Sequence, residues 1–276
     1  MRQMMPLSNS RVHVARWLES LAGAVASVLF PSGCRICEAL LTRADRLPIC
    51  DACLKSFREL PKEICERCGQ PWAEGGDVDG DASVCRECLE RGFAFDAARS
   101  FGVYDGALAR AIVLMKYERI EPLGAWFAKR LLEAAQRIPP QFAADLVVPV
   151  PLHRTRQKER GFNQVDLFGR PLARKLGLPY RPVLLKRERP RPEKHLLHFE
   201  ERWEAVRGAF VIREDGRVDN LRILLLDDVM TSGATLDACT RALREAGAKS
   251  VAGLTIARAV RQGIPVRESF SLKGAR

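Results

Sequence analysis

Ile223-Leu224-Leu225-Leu226-Asp227-Asp228-Val229-Met230-Thr231-Ser232-Gly233-Ala234-Thr235 is the stretch whose reading decides the fold. Four apolar residues, Ile223 to Leu226, predict a strand buried on both faces, as in a parallel sheet. The adjacent carboxylates Asp227 and Asp228 are expected where that strand ends. A loop of small and hydroxyl residues follows, Thr231 to Thr235, and then a helix over 236–246 stopped by Gly247. Loop amides, hydroxyls and a helix N-terminus can hold a phosphate dianion, and two carboxylates can accept hydrogen bonds from ribose hydroxyls. Ligands of open α/β sheets bind at the carboxyl ends of strands, where this loop falls. The pattern suits a sugar phosphate.

These residues resemble the phosphoribosyl-pyrophosphate (PRPP) motif of type I phosphoribosyltransferases. The resemblance implies that Asp227 and Asp228 bind the ribose hydroxyls, and that Thr231, Ser232, Gly233, Ala234 and Thr235 bind the 5′-phosphate.

Working outward, the rest of the chain supports an alternating α/β pattern. Strands are expected at 97–104, 146–150, 183–185 and 251–257, and helices at 108–117, 123–138 and 163–176. Pro122 opens the second helix, and Gly177 stops the third. Residues 187–205, charged and rich in Pro and Arg, suit a mobile lid. The pattern predicts a mainly parallel sheet flanked by helices, which the resemblance implies is type I phosphoribosyltransferase-like, and a small double zinc ribbon is expected before it. The expected organisation is an N-terminal helix at 1–30, the ribbon at 31–92, the α/β domain at 95–260 and a frayed tail at 261–276.

The ribbon rests on cysteine spacing. Eight of nine cysteines fall into Cys-x-x-Cys pairs: Cys34/Cys37, Cys50/Cys53, Cys65/Cys68 and Cys85/Cys88. Each pair can supply half of a tetrahedral four-cysteine zinc site, and four thiolates leave no open position for a catalytic water, so two structural zinc ions are expected. Sequential pairing closes the shorter loops; a cross-braced arrangement remains open. Gly33 and Gly69 let the backbone curl tightly around the metal. An acidic, glycine-rich tip at 75–81 separates the last two pairs. The ninth cysteine, Cys239, reads as a small packed residue.

A formal charge of +11 treats every thiol as neutral; two filled zinc sites would bring it to about +7. Residues 151–200 hold thirteen lysines and arginines against five acids. Such a block either binds a polyanionic small molecule or tracks a nucleic-acid backbone. The apolar segment at 14–30 is interrupted by Arg16 and Glu19, which leaves a core too short to span a bilayer. It is expected to be an amphipathic helix packing on the protein. The expected location is the cytoplasm, with a peripheral place at the inner membrane as the alternative.

A second stretch narrows the resemblance. Val148-Pro149-Val150-Pro151-Leu152-His153 is followed by a strand-end loop with Arg154, Arg156, Lys158 and Arg160, then by Gly161-Phe162-Asn163-Gln164. Guanidinium forks and backbone amides there can meet a pyrophosphate, and a strained or cis peptide near Leu152-His153 would fit such a loop. Together with the PRPP motif and the ribbon, these residues resemble the ComF (ComF/GntX) family over roughly 30–258. Lys116, in Met115-Lys116-Tyr117, matches that family's Lys-Tyr. Arg202 and Gly208-Ala209-Phe210 are retained, whereas Arg191, Lys194 and Ala205 stand where the family often has Thr, Gln and Asn. His195 and His198 are expected to be incidental.

What this likeness implies is a phosphoribosyltransferase using Mg2+-bound PRPP and linked to DNA uptake. Leu152, His153, Arg154, Arg156 and Arg160 would contact PRPP, and Asp227, Asp228, Lys116 and Arg154 would take catalytic roles. The implied partners are PRPP and either single-stranded DNA or a DNA-uptake helicase. The alternative is a non-catalytic, PRPP-regulated or single-stranded-DNA-binding component of the uptake machinery.

Overall fold

The computed structural model describes residues 33–41, 47–72, 83–190, 199–213 and 216–260. The expected N-terminal helix, the acidic tip, lid residues 191–198 (with His195 and His198) and the tail lie outside them. The chain divides into two compact units, 1–55 and 56–276.

In the first unit, helix α1 (Asp51–Lys55) carries Cys53. Cys34 N donates to Ala39 O at 2.8 Å and Glu38 N to Cys34 O at 2.8 Å, closing a tight knuckle around the first cysteine pair.

The second unit begins with the remaining cysteines and helix α2 (Arg86–Arg91), then becomes α/β. Strand β1 (Ala97–Val103) is buried along its whole length. Helices α3 (Gly106–Glu118) and α4 (Glu121–Ala135) follow, with Pro122 in the first turn of α4, where a missing N–H costs nothing. Next come β2 (Leu146–Pro149), α5 (Arg154–Arg160) and α6 (Gln164–Leu176). Strand β3 (Leu185–Arg187), α7 (Phe199–Glu204) and β4 (Phe210–Ile212) lead to β5 (Arg222–Met230), α8 (Ala234–Glu245) and β6 (Ser250–Arg258).

The order β1-β6-β5-β2 is parallel throughout, while β3 and β4 pair antiparallel in a separate sheet. Both central strands have helices on their faces to bury against, which is why β6 is buried at every position. Phe127 and Phe168 fill the core from α4 and α6, with Leu108, Ile112 and Met115 from α3. Among the described residues no helix is long and apolar enough to cross a membrane.

Two local expectations change. Strand β5 does not stop at Leu226: β2 pairs only as far as Pro149↔Leu226, but β6 continues alongside to Met230↔Arg258. Asp227 and Asp228 are therefore strand residues held on one side only, just past the end of β2. The stretch expected to be a basic loop is instead helix α5. His153 caps it, its Nδ1 accepting from Thr155 N at 3.3 Å, and left-handed Gly161 ends it. Its Arg, Gln, Lys and Glu residues are strong helix formers. The described residues contain no cis peptide bond.

Candidate functional site

A cavity of about 130 Å3 lies at the carboxyl ends of β2 and β5. It is lined by Lys116 of α3, Leu152, Arg156 and Arg160 around α5, Gln164 of α6, Asp227 and Asp228 of β5, and Thr231, Gly233, Ala234 and Thr235 of the turn into α8. Tyr104, Val150, Pro151, Arg187, Val229, Met230 and Leu236 also line it.

Asp228 anchors the floor at 6% exposure. Its Oδ1 meets Lys116 Nζ at 2.8 Å, and its Oδ2 accepts from Gln164 Nε2 at 2.6 Å. Gln164 Oε1 in turn accepts from Arg160 Nη1 at 2.9 Å. A polar chain thus runs from the rim to the buried carboxylate. Asp227 is less buried, and its Oδ1 accepts from Asp228 N at 2.8 Å. Asn163 sets this geometry from behind. Its Oδ1 caps α6 by accepting from Val165 N, and its Nδ2 donates to Val150 O at 3.1 Å, tying the helix to the end of β2.

The turn into α8 needs a glycine. Gly233 has φ +80°, and a Cβ there would sit 3.0 Å from both Met230 Cε and Phe93 Cε1. Gly233 to Leu236, at the N-terminus of α8, line the cavity, where the helix dipole favours an anion. Cys239 lies on α8, fully buried; burial pushes its thiol well up, and the charge of Asp227 adds to that. It is a packed, inert thiol.

Of the expected ligand-contacting residues, Lys116, Leu152, Arg156, Arg160, Asp227, Asp228, Thr231, Gly233, Ala234 and Thr235 converge on this cavity. His153, Arg154 and Ser232 do not line it: His153 serves as a helix cap, Arg154 is exposed at the start of α5, and Ser232 is buried in the turn. Gln164 and Arg187 line it without having been expected there. The side chain of Arg202 and residues Arg191 and Lys194 are outside the description.

The cysteines gather as Cys34, Cys37, Cys50, Cys53 and as Cys65, Cys68, Cys85, Cys88, the sulfurs of each set lying within 4.8 Å of one another. The sequential pairing holds. Sulfur separations of 3.8 and 3.6 Å in the first set, and of 3.7 Å twice in the second, are far too long for disulfides. They match the edges of a tetrahedron with metal–sulfur bonds of about 2.3 Å, that is about 3.8 Å. Backbone amides complete the knuckles: Cys50 N donates to Cys34 Sγ at 3.3 Å and Cys85 N to Cys65 Sγ at 3.2 Å. Gly69, at φ +69°, would place a Cβ 2.6 Å from Ala98 O, so only glycine fits where the second knuckle meets β1. Both donor sets fit structural zinc.

Comparison with known proteins agrees with this two-part make-up. Residues 25–91 match the double zinc ribbon domain family, and residues 167–271 match the phosphoribosyl transferase domain family. The chain is similar to bacterial competence and DNA utilization proteins. It is 29% identical over 224 residues to the DNA utilization protein YhgH of Salmonella typhimurium, covering 80% of this chain and 94% of that one. It is 27% identical over 215 residues to competence protein F of Haemophilus influenzae, covering 76% and 90%. Competence protein ComFC of Bacillus subtilis is 25% identical over 211 residues, covering 76% and 84%.

Proposed function

We propose that the chain binds Mg2+-PRPP in the cavity at the end of β5 and transfers its phosphoribosyl group, in the service of DNA uptake or use of external DNA. The observation that carries this reading is the buried Asp228, clamped by Lys116 and Gln164 beside the turn that opens α8. In this assignment Asp227 and Asp228 accept the ribose hydroxyls, while the Thr231–Thr235 amides and hydroxyls hold the 5′-phosphate. A ribose hydroxyl arriving at Asp228 competes with Lys116 for the same oxygen, which frees the ammonium to turn toward the pyrophosphate. Arg156 and Arg160 face that leaving group from α5. Mg2+, held chiefly by the substrate's own oxygens, would offset charge on the departing pyrophosphate. Electrostatic stabilisation and positioning supply the rate, and no protein nucleophile is needed. The assigned boundaries are 31–92 for the ribbon and 95–260 for the transferase domain, and the assigned location is the cytoplasm.

The deciding experiment is calorimetric titration of Mg2+-PRPP into the zinc-loaded protein, followed by pyrophosphate release with candidate acceptors. Absence of binding would sink the reading.

One observation favours a second role. Tyr117 is 69% exposed, and the Arg160 guanidinium lies over its ring at 4.9 Å; Arg119 lies over Phe162 at 5.4 Å. An exposed Tyr117 ring beside Arg160, which lines the cavity, suits stacking of single-stranded DNA, although the sequence shows no interleaving of basic and aromatic residues. A steep salt dependence of single-strand affinity, weakened in Tyr117→Ala, is the expected result. Undetectable binding at low salt would remove this role.

A further inference from the structure

The second cysteine cluster and the last strand belong to the same compact unit, and a buried arginine joins them. Arg258 ends β6 at 3% exposure. Its Nη2 donates to Cys68 Sγ at 3.4 Å, and its Nε donates to Gln70 Oε1 at 2.7 Å. Its Nη1 is buried without an acceptor among the described residues, where no carboxylate pairs with it either. A guanidinium stays charged, and a buried charge without a counter-charge is strongly destabilising. The anion within reach is the sulfur set.

Arg99 of β1 repeats the pattern at 5% exposure. It donates to three carbonyls, Glu66 O at 2.8 Å, Ala98 O at 2.9 Å and Arg137 O at 2.9 Å. Glu66 belongs to the knuckle between Cys65 and Cys68, so the first bond sets the guanidinium against the backbone of the second centre. Four thiolates around one zinc ion carry two excess negative charges, so the two buried guanidiniums balance a filled second centre. An emptied centre loses that balance.

We propose that Arg258 is a positioning residue of the second zinc centre: it holds Cys68 by an N–H···S bond and, with Arg99, neutralises the centre. Metal there thereby stabilises the carboxyl end of the central sheet. The link to the cavity is short. Arg258 is in register with Met230, its carbonyl accepts from Tyr104 N at 2.7 Å, and Ala259 N donates to Met230 O at 2.9 Å. Met230 and Tyr104 both line the cavity. None of this depends on which ligand the cavity takes.

The test is zinc transfer from the full chain to an excess of chromogenic chelator, with alkylation and peptide mass mapping to show which cysteines are released. Arg258→Met should speed release from Cys65, Cys68, Cys85 and Cys88 by about 10- to 100-fold, the usual effect of removing a hydrogen bond to a ligand. Release from Cys34, Cys37, Cys50 and Cys53 is the internal control and should not change. Arg258→Lys keeps the charge but loses the fork, and should fall between. Unchanged release in Arg258→Met, or equal acceleration at both centres, overturns the proposal. Should Arg258→Met fail to fold, amide exchange of the wild-type chain decides. Extracting zinc should cut protection of the Tyr104 and Ala259 amides at least tenfold as the second centre empties, and undiminished protection overturns the proposal.

Discussion

Replacing Asp228 by alanine tests the cavity floor on two separate readouts. In the folded chain its carboxylate meets Lys116 at 2.8 Å and Gln164 at 2.6 Å, and the Lys116 and Asp228 side chains are only 10% and 8% exposed. Removing one partner of a buried pair costs about 3–5 kcal/mol, because the other charge is stranded. Here the stranded ammonium faces a cavity of about 130 Å3, roomy enough for several waters at roughly 30 Å3 each. Hydration lowers the expected loss to about 2–3 kcal/mol. Adding Lys116→Met removes the stranded charge and should restore about 1–2 kcal/mol. Ligand affinity should move differently. A hydrogen bond from a ribose hydroxyl to a carboxylate is worth about 1.5–3 kcal/mol, so Mg2+-PRPP binding should weaken roughly 10- to 150-fold in Asp228→Ala, and further in the double variant, which also loses Lys116 from the pyrophosphate. Urea unfolding followed by tryptophan fluorescence reads the first effect, calorimetry reads the second, and zinc should stay at two per chain. A double variant no more stable than Asp228→Ala would refute the stranded-charge argument. Undiminished affinity in Asp228→Ala would refute the ribose assignment.

Other outcomes follow from single features. Gly233→Val forces a β-branched residue into left-handed backbone against Met230 and Phe93; a loss of about 2 kcal/mol or more is expected, together with ligand binding, and a wild-type melting curve would contradict it. Cys65→Ser should lower bound zinc by about one ion per chain and reduce solubility, and metal analysis showing unchanged stoichiometry would refute the assignment of that centre. Asp145 is held down to about 2, chiefly by its hydrogen bonds from the Arg222 side chain and amide. A depressed carboxyl stabilises above its unfolded value and loses that contribution as pH falls toward the folded one. Solvent screens this exposed pair, so its contribution at pH 7 is small. The deficit of Asp145→Asn should therefore shrink from about pH 4 downward, and a deficit independent of pH in urea titrations would refute this.

Much of the site was legible because its chemistry is local in sequence. The acid pair and the Thr231–Thr235 turn occupy one strand–loop–helix segment, and each Cys-x-x-Cys pair is a single knuckle. What stayed hidden depends on distance. Gln164 reaches Asp228 across 64 positions and Arg258 reaches Cys68 across 190, and no periodicity announces such contacts. Arg187 enters the cavity wall only because β3 folds back beside the turn before α5, bridging to His153. The misread segment is different. Helix α5 carried its own signals, a capping His153, good helix formers and a stop at Gly161, but the basic charge drew the reading toward a loop. The continuation of β5 past Leu226 is not legible in the sequence, because polar side chains say nothing about whether a neighbouring strand continues to pair.

The place of β6 in the sheet has a consequence for how the chain is made. It is the last strand in sequence among the described residues, yet it sits between β1 and β5. Until residues 250–258 leave the ribosome, β1 and β5 cannot be joined, and each presents an unpaired edge to other nascent chains. The cysteine knuckles, built from contacts close in sequence, can take up metal long before that. The sheet must then form by insertion of a central strand, a high-contact-order step expected to be slow. Lesions in 250–257 should accordingly limit the yield of soluble protein well before they alter anything the finished molecule does.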